Sequence, residues 1–97
     1  MSKAGAPSRE AAETLAVQAL SYLAQDPEQL SRFLALSGID PGAIRAAAAQ
    51  PEFLAGVLAY LAQDEALLVR FAAEAGVPPA AVERARALLA GHDREAP

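Results

Sequence analysis

Apolar residues recur every three or four positions along most of the chain, which is the period of an amphipathic α-helix. Prolines, glycines and aspartates interrupt the pattern and divide it into six segments. No segment alternates with period two, and β-branched residues are few and scattered. The sequence therefore predicts an all-α fold, a compact bundle of five or six short helices at about 9–25, 27–37, 41–49, 51–63, 65–75 and 78–90.

Residues that start helices stand at four of these boundaries. Each has a short polar side chain that can accept a hydrogen bond from the first helical turn, so we expect N-caps at Ser8, Asp26, Asp40 and Asp64. Gln29 follows Asp26 by three residues, the spacing of a capping box, in which its side chain reaches back to the cap's N–H group.

Glycines end two of the predicted helices. Gly38 and Gly76 stand where a left-handed residue closes a helix, and Ile39 after the first is the apolar residue that a Schellman motif prefers.

The chain contains an internal repeat. Residues 20–47 align with 58–85 at an offset of 38, and fourteen of these twenty-eight positions are identical. The identical pairs include Tyr22/Tyr60, Asp26/Asp64, Phe33/Phe71, Gly38/Gly76 and Pro41/Pro79. We predict one helical domain, 9–91, built from two related three-helix modules at about 14–50 and 51–91, with flexible tails at 1–8 and 92–97. The modules either close into a bundle with approximate two-fold symmetry or leave an apolar face open.

Composition limits the function classes. The 97 residues include no cysteine and carry a net charge of −4, so nucleic acid is a poor default partner. No apolar run approaches the ~20 residues that span a bilayer, and the first residues lack the apolar core of a signal peptide. These observations predict a cytoplasmic protein without a membrane partner.

Catalytic and cofactor motifs are absent from the sequence. The single histidine, His92, lies in the polar segment GHDREAP, and there is no glycine-rich phosphate loop or nucleophile elbow. Asp26 and Asp64 are better explained as N-caps than as a carboxylate pair. We expect no enzyme activity, no metal and no cofactor.

Six residues are candidates for an interaction surface. Arg32 and Arg70 recur in both copies, although only Arg32 has an acid, Glu28, four residues before it, which predicts an exposed i,i+4 ion pair. The recurring tyrosines are either buried rings or aromatic anchors of a groove. Leu36 and Leu67 match polar residues in the other copy, Glu74 and Gln29, and are therefore expected to be exposed. The six candidates are Tyr22, Arg32, Leu36, Tyr60, Leu67 and Arg70.

The segment around 67–90 has the Ala72, Gly76 and Val82 spacing of a helix-turn-helix. Its second helix begins with prolines and alanines, which offer no side-chain contacts to base edges. Protein–protein interaction or self-association is therefore the favoured function, and a nucleic-acid-associated regulator is the alternative.

The stretch FLALSG at residues 33–38, with Asp26-Pro27-Glu28 before it and residues 71–79 after it, resembles the domain-of-unknown-function family 3572, found mainly in alphaproteobacteria. The similarity covers about residues 15–91. It implies a small bacterial helical protein without an assigned activity, substrate or cofactor. The matched FAAEAG differs from FLALSG at three positions.

Overall fold

The computed structural model describes residues 8–91, in which all regular secondary structure is helical. The elements are α1 (Arg9–Ala24), α2 (Pro27–Ser37), a 3₁₀ turn (Pro41–Ala43), α3 (Ile44–Ala47), α4 (Pro51–Ala62), α5 (Glu65–Ala75) and α6 (Pro79–Gly91). The prediction of an all-α bundle is confirmed. The predicted flexible tails and His92 lie outside the described residues, apart from Ser8, whose hydroxyl oxygen caps α1 by accepting from the Ala11 N–H group at 2.9 Å.

Helices α1, α4 and α6 form the centre of the molecule, with α6 packed against both of the others. The inner face of α1 is mostly alanine, and small side chains let the neighbouring backbones approach closely. Helix α4 provides much of the apolar volume of the core. The core residues of α4 and α6 are Leu54, Ala55, Val57, Leu58, Leu61, Val82, Ala85 and Leu89.

The two aspartates that precede α2 and α5 cap them as predicted. Oδ1 of Asp26 accepts from the Glu28 N–H group at 3.1 Å, and Oδ1 of Asp64 accepts from the Leu67 N–H group at 3.2 Å. Asp40 was expected to do the same, and this prediction was wrong, because its side chain makes no capping hydrogen bond. The chain beyond it forms a 3₁₀ turn that contains Gly42, a poor helix former.

The third helix is consequently shorter than predicted. Its α-helical part covers only Ile44–Ala47, and Gln50 has left the helical region because Pro51 follows it. Helix α3 contacts chiefly the 3₁₀ turn before it, whereas the long α6 packs against α1, α4 and α5. The segment between α2 and α4 therefore covers less of the core than α6 does.

Both predicted glycine stops are left-handed, with φ of 74° at Gly38 and at Gly76. After α5 the N–H groups of Gly76 and Val77 bond the carbonyls of Ala73 and Ala72, which is a Schellman motif. The Schellman motif expected at Gly38 is not formed. There the Gly38 N–H group bonds the Leu34 carbonyl, and the Ile39 N–H group donates to the hydroxyl of Ser37, a side chain that Ala75 lacks in the other copy.

Aromatic rings connect the two halves of the chain. Tyr22 packs on Phe71 with ring centroids 5.5 Å apart, and Tyr60 packs on Phe33 at 5.4 Å. Each tyrosine thus contacts the phenylalanine of the other repeat copy. This reciprocity is what two-fold packing would produce, although the relation of the two modules by a two-fold axis stays a prediction.

None of the helices in residues 8–91 combines the length and the apolarity needed to cross a membrane.

Candidate functional site

A groove with a largely apolar lining runs between α2 and α4 and has a volume of about 600 Å³. We call it the α2/α4 groove. Its main apolar residues are Phe33, Leu36, Ile39, Phe53 and Tyr60, with Gly56 on α4 between the two aromatic residues of that helix. The carboxylate of Glu52 is the only ionised group among its lining residues. Such a surface can bury an apolar side chain and offers one charge to orient it.

Three aromatic rings build the wall of this groove. Phe33 is buried and lies between the rings of Phe53 and Tyr60, at centroid distances of 5.7 and 5.4 Å. Both contacts are edge-to-face, the arrangement that aromatic quadrupoles favour. Because Phe33 comes from α2 and the other two rings come from α4, the cluster holds the two helices together.

Tyr60 is fixed further by a hydrogen bond between the helices. Its hydroxyl donates to Oε1 of Gln29 at 2.8 Å. The capping box expected from Gln29 was wrong, because its side chain turns toward Tyr60 instead of back to its own helix start. The N–H group of Asp26, which the capping box would have used, bonds the Leu23 carbonyl.

Leu36 lies at the edge of the groove and is 71% exposed. The other exposed large apolar residues of the described chain, Val69 and Val17, are less exposed, at 49% and 44%. Leu36 thus leaves the largest share of an apolar side chain in water, as its polar match Glu74 suggested. Its role in binding stays a prediction.

Leu67 was expected to be exposed for the same reason, and this prediction was wrong. It is only 3% exposed and belongs to the core with Leu68 and Phe71. Helix α5 packs against α1, α4 and α6, so its apolar face is covered whatever residue the other copy carries.

The structure divides the predicted site residues among three places. Leu36 and Tyr60 line the α2/α4 groove. Tyr22, Leu67 and Arg70 meet at a smaller, more polar cavity of about 240 Å³ beside Asp26 and Gln29.

Arg32 lies outside both cavities, on the exposed side of α2 and one turn before Leu36. The ion pair expected between Glu28 and Arg32 is not formed; in residues 8–91 the only ion pair joins Arg86 and Glu83, at 3.1 Å. The side chains of Glu28 and Arg32 are both exposed, and an ion pair between exposed side chains contributes too little free energy to hold them together.

A third cavity of about 260 Å³, between α1 and α5, involves positions that the repeat matches to the α2/α4 groove. We call it the α1/α5 cavity. Tyr22 and Phe71 stand where the groove has Tyr60 and Phe33. Glu74 stands where the groove has Leu36. Gln18 lies two residues before the aligned segment, and the same offset of 38 matches it to Gly56. The α1/α5 cavity thus has a polar side chain at both positions, where the groove has a leucine and a glycine.

Sequence reasoning singled out only Leu36 and Tyr60 of the groove residues; among those it missed are Glu52, Phe53 and Gly56. Phe53 packs against the core and is also partly exposed in the groove. The available signal was Gly56, since a glycine inside a helix costs stability relative to alanine and lowers the fit of the helical pattern at that point.

The family comparison agrees with the resemblance found in the sequence. A family model described as "Protein of unknown function (DUF3572)" matches residues 9–92. The chain belongs to this family. No curated protein and no solved structure matches the chain. Family membership brings no named activity, so the function has to be argued from the α2/α4 groove.

Proposed function

We propose that this member of the family is a protein–protein interaction module whose α2/α4 groove binds an amphipathic helix of a partner protein. The observation that carries the proposal is the position of Leu36, 71% exposed at the edge of a groove with an aromatic wall. Binding a helix by its apolar face is a recurrent mode of peptide recognition.

The energetics favour an apolar occupant. Transferring an exposed leucine side chain from water to an apolar contact contributes about 1.5–3 kcal/mol. Phe53 and Tyr60 beside it are partly exposed aromatic residues, the type that dominates binding energy at interfaces. Because the ring cluster and the Tyr60 hydrogen bond hold this wall in place, little side-chain freedom is lost when a partner binds.

Charge specifies the partner further. Glu52 is exposed and makes no ion pair within residues 8–91, and the whole chain carries a net charge of −4. A helix with basic residues beside its apolar face therefore complements the groove. A second copy of this chain has the same negative charge, so we propose a different protein as the partner.

The nucleic-acid alternative has weaker support. The first turn of α6 provides Pro79 and Ala80, and Arg86 in the next turns pairs with Glu83. With a pI of about 4.8, the chain has little attraction for phosphates. We propose that the protein binds its partner without catalysing a reaction. Its cytoplasmic location and its bacterial source stay predictions.

A peptide selection tests the proposal. Amphipathic peptides of about 18 residues, or about five helical turns, with lysines beside a randomised apolar face, are selected on the full chain. We expect enriched peptides to become helical on binding, with micromolar or tighter Kd. Leu36→Glu, which introduces the residue found at the matched position, is expected to weaken this binding at least tenfold.

Val69→Glu is the matched control, because Val69 is also exposed and apolar but lies on α5, outside the groove lining. It is expected to leave binding unchanged. Peptides that bind Leu36→Glu as tightly as the unaltered chain would contradict the proposal, and so would a failure to enrich any groove-binding peptide.

Two further measurements test the other occupants. Sedimentation equilibrium is expected to show a monomer; a dimer that Leu36→Glu dissociates would make a second copy the occupant. Titration with labelled duplex DNA at two salt concentrations is expected to show no binding, whereas affinity that falls steeply with salt would support the nucleic-acid alternative.

A further inference from the structure

Nothing in the fold of this protein requires a glycine at position 56. It lies inside α4, and its φ is not in the left-handed region, which among the described glycines only Gly38 and Gly76 occupy. A Cβ atom built on Gly56 meets no heavy atom within 4 Å. Neither backbone conformation nor close packing within residues 8–91 therefore explains a residue that weakens a helix relative to alanine.

The space above Gly56 belongs to the α2/α4 groove. Phe53 and Tyr60 stand three residues before and four residues after it, so all three share one face of α4. Glu52 lies one helical turn before Gly56 on the same side. The face thus presents a hole between two aromatic side chains, with a carboxylate about one turn away.

The α1/α5 cavity offers a comparison within the same molecule, because it repeats the aromatic setting without the glycine. Tyr22 and Phe71 are retained there, but Gln18 takes the place of Gly56 and has a long polar side chain where the groove is open. Two related cavities in one molecule therefore differ at the position of this glycine, and the cavity with Gln18 is the smaller one, at about 260 Å³ against about 600 Å³.

We infer that Gly56 is the receptor position for a large apolar anchor, a leucine, methionine or phenylalanine side chain, on the partner helix. This inference rests on the proposed function and specifies it: the partner helix places its anchor over Gly56 and a basic residue about one turn away, opposite Glu52. A side chain at position 56 would occupy the volume that the anchor needs. The α1/α5 cavity is not expected to bind this helix, because it has Gln18 rather than a glycine among its lining residues.

The test measures binding of the selected peptide, labelled with fluorescein, to the full chain by fluorescence anisotropy. Gly56→Ala is expected to weaken binding about threefold to tenfold, and Gly56→Gln, which copies the matched residue, at least about thirtyfold. Gly91→Ala is the matched control: it also replaces a helical glycine with open space around its Cβ position, but outside the groove, and it should leave binding unchanged.

Folding is checked by thermal unfolding of each variant, so a loss of binding cannot be confused with a loss of structure. We expect Gly56→Ala to melt at a higher temperature than the unaltered chain although it binds less well. If Gly56→Gln binds within twofold of the unaltered chain while Leu36→Glu abolishes binding, the anchor position is wrong and the proposed function stands. If no selected peptide binds the unaltered chain in the groove, the proposed function itself fails and this inference fails with it.

Discussion

The hydroxyl of Tyr60 donates a 2.8 Å hydrogen bond to Oε1 of Gln29, a residue thirty-one positions earlier in the chain. The bond joins α4 to the first turn of α2, beside the contact of Tyr60 with Phe33. It is a partly buried polar contact at the wall of a largely apolar groove, so it fixes the position of the Tyr60 ring in that wall.

Removing this hydroxyl is expected to destabilise the protein modestly. Tyr60→Phe keeps the ring contact but leaves Oε1 of Gln29 without its donor, which should lower the free energy of unfolding by about 1 kcal/mol. Tyr22→Phe is the control, because the Tyr22 hydroxyl has no protein partner within residues 8–91; its effect should stay within about 0.5 kcal/mol.

Urea unfolding measures both variants. Equal losses for the two tyrosines would contradict the importance of the Gln29 contact. The double variant Tyr60→Phe/Gln29→Leu should recover part of the loss, because it removes the unpaired acceptor and installs the leucine found at matched position 67.

The two leucines that differ between the repeat copies are expected to respond in opposite ways. Leu67→Ala leaves a cavity in the core and should lower the free energy of unfolding by about 2–4 kcal/mol. Leu36→Ala removes an exposed side chain from a helix surface and should change it by less than about 0.5 kcal/mol. Chemical denaturation of the two variants decides the point, and a larger loss at Leu36 would refute the burial described for α5.

Three aspartates at predicted helix starts provide a matched set for capping. Asp26→Ala and Asp64→Ala remove observed caps and should each cost about 1 kcal/mol of stability. Asp40→Ala should cost less than about 0.5 kcal/mol, because this side chain caps nothing. Thermal or urea unfolding of the three variants measures the loss of stability for each. A loss for Asp40→Ala equal to that of the other two variants would contradict the prediction.

The same glycine-to-alanine substitution should have opposite signs at two positions. Gly56→Ala should raise the free energy of unfolding by about 0.5–1 kcal/mol, because alanine is the better helix former and meets no clash. Gly38→Ala should lower it by about 1–2 kcal/mol, because φ at that residue is 74°. Calorimetry of both variants checks the contrast; a destabilised Gly56→Ala would show that position 56 is more crowded than the structure indicates.

Helix starts and stops were largely predictable because they depend on neighbouring residues. The caps at Ser8, Asp26 and Asp64 and the left-handed glycines at 38 and 76 involve bonds within a few positions along the chain. At two places where such a prediction was wrong, another group had taken the bond. Ser37 replaced the Schellman bond of Ile39, and Tyr60 took the side chain of Gln29 away from the capping box.

The candidate site was predicted only in part, because a groove exists only once two helices are placed side by side. Leu36 and Tyr60 were singled out from the repeat, but nothing local in the sequence places them in one groove with Phe53 and Gly56. Leu67 is a residue that was wrongly predicted to be part of the exposed surface. Its polar match suggested exposure, yet the packing of α5 buried it.

The sequence by itself determined the helical class and most helix boundaries, since propensity, capping and apolar period act over one or two turns. Tertiary structure alone decided which apolar surface stayed open. Because α3 is cut short between Gly42 and Pro51, less of the core is covered there than under α6, and the α2/α4 groove remains with Leu36 at its edge and Gly56 between its aromatic residues.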